Sequence, residues 1–327
     1  MPAHPTRRVL GVDFFTGTLD DAVSAAIHGG HGVSLREKIK LKDEPAGSNR
    51  SELNLNLRSS TGTAGAMLVV APSAPGLAVD LVKSSSYREA LTTADLALTD
   101  SGFMVLLWRA YTGEKLPRHS GLKFIRAVLA RPELKHPGAV FWVMPSARED
   151  ARNRAWLVAQ GFPVTPDDVY LAPHYRAGPI TDEELVRRIE KRQPRVVMLA
   201  IGGGVQERVG LMLRARLRGG STAVEDESLR GSVERAPETS DLNFNLTLDP
   251  APSAERRGGP SILCLGAAIA FLTGGQANIP PWADNLILGW LLRLLSSPRK
   301  FWRRYWDALG LARLLWRNRD HLPALRG

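Results

Sequence analysis

Short apolar segments rich in β-branched residues alternate along this chain with longer segments of helical character. The strand-like segments are Arg8–Phe14, Met67–Ala71, Leu96–Thr99, Ala139–Met144, Val196–Ile201 and Ile262–Leu265. The helix-like segments between them are Leu19–His28, Ala78–Thr92, Ser120–Arg131, Arg148–Gln160, Asp182–Lys191 and Val205–Leu217. Strands that alternate with helices build a mostly parallel sheet with helices on both faces. The pattern therefore predicts a Rossmann-like α/β fold.

Two polar stretches interrupt this alternation, at about residues 32–63 and 218–260, and we interpret them as insertions into a core that spans 1–285. Each insertion contains a similar phrase, Ser51–Leu57 and Ser240–Leu246, in which apolar and polar residues alternate strictly. Strict alternation is the period of a half-buried strand. We expect the two phrases to pair as a two-stranded ribbon, and a chance similarity of two loops is the alternative.

Residues 286–327 differ in composition from the core. They contain four of the eight tryptophans, and nine basic residues against two acidic ones, which is seven of the chain's ten net positive charges. Helical spacing puts these apolar residues on one face: Phe301, Trp302, Tyr305, Trp306, Leu309, Ala312, Leu315 and Trp316. Tryptophan and arginine together suit an anionic membrane surface. We therefore predict a helical, membrane-associating appendage, and a helix packed on the core with solvated arginines is the alternative.

Asp100 is the strongest candidate for a catalytic residue. It follows the apolar run Leu96–Thr99 and precedes Phe103–Trp108, which opens another helix. In open α/β sheets, ligands bind at the carboxyl ends of strands beside the next helix. A carboxylate there is placed to act on a substrate. Locally, the commoner interpretation is that Asp100 caps the helix that follows it.

A second candidate is the glycine turn Gly202–Gly204, which lies between a strand and a helix. Glycines let the backbone approach a phosphate, and the helix dipole favours its negative charge. The turn is neither Gly-x-Gly-x-x-Gly nor a P-loop. Gln206 and Glu207 at the start of the helix are expected either to bond substrate hydroxyls or to cap the helix. Arg118 is a candidate to grip a diphosphate, and Tyr175 lies on a loop that is expected to border the cleft.

The remaining composition excludes several classes of protein. Cys264 is the single cysteine and lies in an apolar run, so we expect a core residue and no intrachain disulfide. No segment has the apolar length of a spanning helix, and the N-terminus lacks the apolar core of a signal peptide. Metal-ligand spacing is absent among the histidines. We expect a cytoplasmic protein that needs no metal or other cofactor.

Several motifs in this order resemble the WecG/TagA/CpsF family of glycosyltransferases. They are Gly11–Asp13, Val69–Ser73, Ala94–Gly102, Arg118, Gly202–Glu207, Gly266–Gly274, Ile279–Trp282, Gly289–Arg293 and Pro298–Tyr305. The resemblance implies an inverting transfer without a required metal. A sugar of the N-acetylmannosamine type or a related hexose would move from a UDP-sugar to a polyprenyl-diphosphate-linked sugar. The reaction would serve cell-surface or exopolysaccharide biosynthesis at the cytoplasmic face of the membrane.

The resemblance also implies roles for individual residues. Asp100 would be the general base, and Arg118 would lie near a phosphate. The residues implied to bind substrate are Ser73, Ser101, Arg118, Tyr175, Gly202, Gly203, Gln206 and Glu207. The C-terminal arginines implied to close over the site and touch the membrane are Arg293, Arg299, Arg303 and Arg304.

The chain departs from the family pattern at three places. Ala71-Pro72-Ser73 stands where the family has Thr-x-Asn, Ser101 where it has Gly, and Gly204 where it has Pro. One alternative is therefore a degenerate glycosyltransferase that serves as a scaffold. Another is a nucleotide- or nucleic-acid-binding protein without catalysis, which the net charge of +10 suggests. That charge is concentrated in a Trp-rich tail and not spread over a recognised nucleic-acid reader fold, so we do not expect a nucleic-acid partner.

Overall fold

The computed structural model describes residues 5–28, 65–218, 258–266, 268–275 and 298–326, and within these ranges it leaves out the side chains of residues 218, 298–305, 307 and 308. The described residues build an eight-stranded sheet in the order β1-β2-β4-β3-β8-β7-β5-β6. The strands are β1 Thr6–Val9, β2 Val12–Phe15, β3 Met67–Val70, β4 Leu96–Ala97, β5 Val140–Met144, β6 Val169–Leu171, β7 Val196–Leu199 and β8 Ser261–Cys264. β1 is antiparallel to β2, and the other neighbouring strands run parallel.

Helices connect the strands and cover both faces of the sheet. They are α1 Leu19–His28, α2 Leu81–Lys83, α3 Ser85–Thr92, α4 Gly102–Thr112, α5 Gly121–Leu129, α6 Ala147–Ala159, α7 Glu183–Arg192, α8 Val205–Arg218, α9 Ala268–Leu272 and α10 Pro298–Asn318. A π-helical turn, Gly76–Asp80, leads into α2. Successive side chains of a strand point to opposite faces, and both sets are buried. In β3, Leu68 packs in one core with α3 and α8, and Val69 packs in the other with α1 and α5. This confirms the predicted mostly parallel α/β fold.

Two of the predicted elements differ from the structure, and one strand was not predicted. Arg8–Phe14 is not one strand but a hairpin, because Leu10 and Gly11 both adopt positive φ angles, 51° and 77°, and turn the chain back. The predicted helix Ala78–Thr92 is interrupted at Ser84, which is extended and whose Oγ accepts a hydrogen bond from the N–H of Tyr87. Strand β6 was not predicted, because its three residues lie in a polar region. The two phrases of the predicted ribbon lie outside the described residues.

Helix α10 packs against the π-helical turn and α4. Leu311, Leu314 and Leu315 are buried there, with exposed fractions of 0%, 6% and 1%. Trp306 and Trp316 are each 66% exposed, on the other side of the helix. The prediction of one apolar face is therefore wrong, because Leu315 is buried whereas Trp306, Leu309 and Trp316 are exposed. The helix has a buried apolar face and a second, exposed one.

Residues 319–326 continue from α10 onto the first hairpin. The N–H groups of Leu10 and Gly11 donate to the carbonyls of Arg319 and Asp320, at 2.7 and 2.9 Å. The N–H of Arg326 donates to the carbonyl of Val82 at 2.8 Å. The end of the described chain is thus hydrogen-bonded to the edge of the sheet. Among the described residues, no helix combines the length and the apolar composition needed to cross a bilayer.

Candidate active site

Four neighbouring strands bring the predicted site residues to one edge of the sheet. β4, β3, β8 and β7 are adjacent in this order and parallel, so their carboxyl ends meet at the same edge. Asp100 follows β4, Ser73 follows β3, Gly266 follows β8, and Gly202 follows β7. Strands lie about 4.8 Å apart, so the edge from β4 to β7 spans about 14 Å. This is the place where open α/β sheets bind ligands.

The carboxylate of Asp100 is half-buried and lies at the N-terminus of α5. Its Oδ1 accepts a hydrogen bond from the N–H of Gly121, the first residue of that helix, at 2.7 Å. Helix α4, which follows Asp100 directly, is capped by Ser101, whose Oγ accepts from the N–H of Met104 at 3.2 Å. The interpretation of Asp100 as the local cap is therefore wrong. The dipole of α5 stabilises a negative charge on Asp100.

The segment that contains Arg118 wraps around the end of β4. The Nε of Arg118 donates to the carbonyl of Asp100 at 3.4 Å, and the N–H of His119 donates to the buried Oγ1 of Thr99 at 3.0 Å. Burial lowers the pKa of His119, so its imidazole is neutral at pH 7. The structure thus puts the guanidinium of Arg118 beside Asp100, next to the strand end.

The glycine turn lies at the other end of this edge. Gly202 and Gly203 are exposed, and a Cβ atom at either position would have no neighbour within 4 Å. Gly204 has a φ of +85°, and a Cβ there would lie 3.1 Å from the carboxylate of Asp80. The backbone of the first two glycines is therefore open to a ligand at the N-terminus of α8.

Gln206 and Glu207 are buried beneath this turn, with exposed fractions of 3% and 2%. Oε2 of Glu207 accepts from the N–H of Gly204 at 2.7 Å, and Oε1 accepts from the Nε2 of Gln206 at 3.0 Å. Burial raises the pKa of Glu207 to about 7, because desolvation outweighs the hydrogen bonds that stabilise its charge and Asp80 adds repulsion. Both oxygens of Glu207 are thus already occupied within the protein.

Asp80 and Tyr87 belong to the same site and were not predicted. Tyr87 is 1% exposed, and its hydroxyl lies where a Cβ on Gly76 would be. Burial raises the pKa of Tyr87, and the nearby charges of Glu207 and Asp80 raise it further. In the sequence both residues belong to a helix-like segment far from the glycine turn. Only the pairing of β3, β8 and β7 brings them together, so no local signal marks them.

The hydroxyl groups of Ser73 and Tyr175 are hydrogen-bonded within the protein. The Oγ of Ser73 lies 3.4 Å from the N–H of Gly76, at the start of the π-helical turn. The hydroxyl of Tyr175 donates to Asp182 at 2.6 Å, and burial followed by this hydrogen bond raises its pKa. The loop of Tyr175 is held to α8, because the Nη1 of Arg208 donates to the carbonyls at 176 and 178, at 2.9 and 2.7 Å. The structure therefore brings this loop to the glycine turn.

The side chains of the four C-terminal arginines predicted to close over the site lie outside the described part of the structure. Arg293 lies outside the described residues, and Arg299, Arg303 and Arg304 lie on α10 where side chains are not described. Their closure over the site stays a prediction. No three His, Cys, Asp or Glu side chains are grouped so as to hold a metal ion in the part of the chain that the structure describes. The absence of a metal requirement also stays a prediction.

The sheet, the glycine turn and the strand-end carboxylate together define an α/β protein of the class that binds ligands at the carboxyl edge. The model of one family, the WecG/TagA/CpsF glycosyl transferases, matches residues 49–239 and 253–323, which is most of the chain. The chain belongs to this family of glycosyltransferases. A search of the curated proteins found no match. Residues 5–28, which form the first hairpin and α1, precede the matched region.

Proposed function

We propose that the protein is an inverting glycosyltransferase that moves a hexose, of the N-acetylmannosamine type or related to it, from a UDP-sugar to a polyprenyl-diphosphate-linked sugar. Membership of the family supports a glycosyltransferase. The donor, the acceptor and the base are our inference. The observation that carries it is the carboxylate of Asp100, held at 2.7 Å by the N-terminus of α5 on the same edge as the open glycine turn.

The distance along this edge suits a nucleotide sugar. The nucleotide end of the donor would lie at the open turn Gly202–Gly203, where backbone N–H groups and the dipole of α8 would stabilise the charge of its first phosphate. The second phosphate and the sugar would extend along the edge, which spans about 14 Å by strand spacing, to Asp100 and Arg118. Arg118, beside Asp100, would stabilise the charge that develops on the leaving UDP. These groups would do without a metal the work that a divalent ion does in other transferases.

The proposed chemistry is a single displacement. The carboxylate of Asp100 takes the proton of the acceptor hydroxyl, and the resulting oxygen attacks the anomeric carbon of the donor sugar. The bond from that carbon to the β-phosphate oxygen breaks, and UDP leaves with the electron pair. Attack from the face opposite to UDP inverts the configuration. A positioned base of this kind contributes about 10²–10⁴-fold to the rate.

The test compares Asp100→Asn with Asp95→Asn. Asp95 lies at the amino end of the same strand, where its Oδ2 accepts from the N–H of Leu68 at 2.8 Å. With UDP-sugars and a polyprenyl-diphosphate-linked sugar, Asp100→Asn should lower kcat about 10²–10⁴-fold, and Asp95→Asn should leave it unchanged. Near-wild-type transfer by Asp100→Asn would remove Asp100 from the mechanism. UDP binding by the wild type without turnover of any donor would favour the scaffold alternative.

We further propose that the exposed face of α10 binds an anionic membrane surface. At 100° per residue, Trp306, Leu309, Arg313 and Trp316 lie within about a third of the helix circumference. The three apolar members are between 54% and 66% exposed, and Arg313 is exposed beside them. Aromatic side chains bind at headgroup depth, and arginines bind lipid phosphates. The peripheral location at the inner face of the plasma membrane is part of this proposal.

Co-sedimentation with phosphatidylglycerol-containing vesicles tests the membrane proposal. Each basic residue near an anionic surface contributes about 1 kcal/mol, so the pair Arg313→Ala and Arg317→Ala should weaken partitioning roughly 30-fold. Trp316→Glu should also weaken it. Val158→Glu is the matched control, because Val158 is 55% exposed on α6, outside this face. Equal partitioning of all variants would reject the membrane role.

A further inference from the structure

The amide of Gln206 has a fixed orientation. Its Nε2 donates to Oε1 of Glu207 at 3.0 Å and to the carbonyl of Cys264 at 3.3 Å. Gly266 lies against the amide, because a Cβ atom there would be 3.1 Å from Nε2 and 3.3 Å from Oε1. Two acceptors on one side and the backbone on another thus determine which end of the amide is the nitrogen.

In this orientation the carbonyl oxygen of Gln206 has no partner among the described residues. Oε1 is buried and accepts no hydrogen bond from the described residues. A buried acceptor without a partner costs free energy, so such a group is normally completed by a ligand or a water. Gln206 lies in the first turn of α8, which follows the exposed Gly202 and Gly203, and its amide lies against Gly266 at the end of the neighbouring strand β8. The amide thus lies at the edge of the sheet to which the donor site is assigned.

Glu207 is the residue that holds the amide from the other side. Both of its oxygens accept hydrogen bonds from N–H groups, one from Gly204 and one from Gln206. Among the described residues, the other titratable groups that interact with its carboxylate are Asp80, Tyr87 and the thiol of Cys264. These three groups carry no positive charge. Two donated hydrogen bonds match an ionised carboxylate, which has acceptors only.

We propose that Glu207 is a positioning residue, which fixes the amide of Gln206 so that its Oε1 accepts a hydrogen bond from a hydroxyl or N–H group of the bound nucleotide sugar. This inference rests on the proposed function. It assigns Glu207 a role through Gln206 and no direct contact with the substrate. It also names the chemistry of the group recognised, which is a hydrogen-bond donor.

An amide in place of the carboxylate would disturb this arrangement. Glu207→Gln has one acceptor and one NH₂ group where the native side chain has two acceptors. If its oxygen faces Gly204, its NH₂ faces the Nε2 of Gln206, and two donors oppose each other. The amide of Gln206 would then turn and present NH₂ to the substrate. A hydroxyl or N–H group of the substrate would then lose its hydrogen-bond acceptor.

A double-mutant cycle on full-length protein tests this. The ligands are UDP and UDP-N-acetylmannosamine, with dissociation constants measured by calorimetry at pH 8. Gln206→Met removes the acceptor and should weaken binding roughly 10-fold, which is the loss of one hydrogen bond. Glu207→Gln should weaken binding by a similar factor in the wild type and should have no effect in the Gln206→Met background.

The outcomes are distinct. If Gln206→Met weakens the binding of both ligands equally, the hydrogen-bond donor that Gln206 recognises is on the nucleotide. If it weakens the binding of the UDP-sugar only, this hydrogen-bond donor is on the sugar. An equal loss from Glu207→Gln in both backgrounds would mean that Glu207 acts on the fold, and would overturn the inference. Unchanged binding in Gln206→Met would overturn it as well. If the wild type binds neither ligand, the proposed UDP-sugar donor is wrong, and this inference falls with it.

Two further measurements keep the test valid if Glu207→Gln does not fold. Gly266→Ala pushes on the same amide from the opposite side, and should also weaken binding. Its control is Gly161→Ala, which has a similar positive φ of +82° and no atom within 4 Å of the added Cβ, and it should bind as the wild type does. The second measurement is the dissociation constant of the wild type divided by that of Gln206→Met, which lacks the amide that Glu207 holds; this ratio should change around pH 7, where Glu207 titrates. A ratio independent of pH would contradict a role for the ionised carboxylate.

Discussion

The buried carboxyl of Glu207 predicts that this protein loses stability as the pH rises from about 4.5 to 7. Its pKa is raised from 4.5 in the unfolded chain to about 7 in the folded one, chiefly by burial. Below pH 4.5 the carboxyl is protonated in both states. Between the two values the unfolded chain releases the proton and the folded chain keeps it, so the free energy of unfolding falls with rising pH. Above pH 7 the full cost of the buried charge is present.

The size of the effect follows from the displacement of the pKa. One pKa unit corresponds to about 1.4 kcal/mol, so a rise from 4.5 to about 7 corresponds to about 3 kcal/mol. Glu207→Gln has no titrating group at this position. The free energy of unfolding of the variant minus that of the wild type should therefore increase by about 3 kcal/mol between pH 4.5 and pH 7.5. Hydrogen bonds lost in the variant shift this difference by a constant and leave its pH dependence unchanged.

Urea unfolding followed by tryptophan fluorescence measures this difference, since the chain has eight tryptophans. Wild type and Glu207→Gln are unfolded in parallel at half-unit steps from pH 4.5 to 8, without ligand. Other titrating groups affect both proteins alike and cancel in the difference. Glu190→Gln, at an exposed position on α7, serves as the control for the loss of one carboxylate. A flat difference for Glu207→Gln would refute the assigned burial and pKa of this carboxyl.

Three further predictions concern packing around the sheet. Gly11→Ala would bring a Cβ within 2.6 Å of that of Leu322, so urea unfolding should show a loss of about 1–3 kcal/mol; an unchanged midpoint would contradict the contact. Gly210→Ala should destabilise the protein, because the new Cβ would lie 2.7 Å from the sulfur of Cys264, while Gly310→Ala, in open space on a helix, should stabilise it by about 0.5–1 kcal/mol; the same sign for both would be the contrary result. Arg208→Ala should release the loop between β6 and α7, measured as faster trypsin cleavage there, and cleavage at the wild-type rate would contradict its role.

The alternation of strands and helices was sufficient to predict the parallel sheet, because the central strands are buried on both faces and several helices begin with a recognisable signal. Asp182 caps α7 as its sequence suggests, accepting from the N–H of Leu185 at 3.0 Å. The first hairpin was missed because its turn depends on Leu10, which is not a turn residue by type. Its positive φ occurs where residues 319–320 pair with the turn. A contact so distant in sequence leaves no local signal.

The candidate site shows the same limit. Asp100 and Gly202 could be named from the sequence because strand ends are visible in it. The hydrogen bond from Gly121 to Asp100 joins residues 21 positions apart, across a second helix. The neighbours of Glu207 come from β8 and from the π-helical turn, and its burial depends on all of them. The sequence left open whether Glu207 bonds the substrate or caps the helix, and in the structure its two oxygens accept hydrogen bonds from Gly204 and Gln206.

The pairing of Leu10 and Gly11 with Arg319 and Asp320 has a consequence for synthesis on the ribosome. The hairpin is made early, but the two carbonyls that complete its turn are translated about three hundred residues later. Until then, these amide groups must be solvated by water. Helix α1 likewise packs against α5 and β8, which are translated later. Domains that fold during translation acquire structure from the N-terminus onward. Here the first strands reach their final arrangement only after residue 320 has left the exit tunnel.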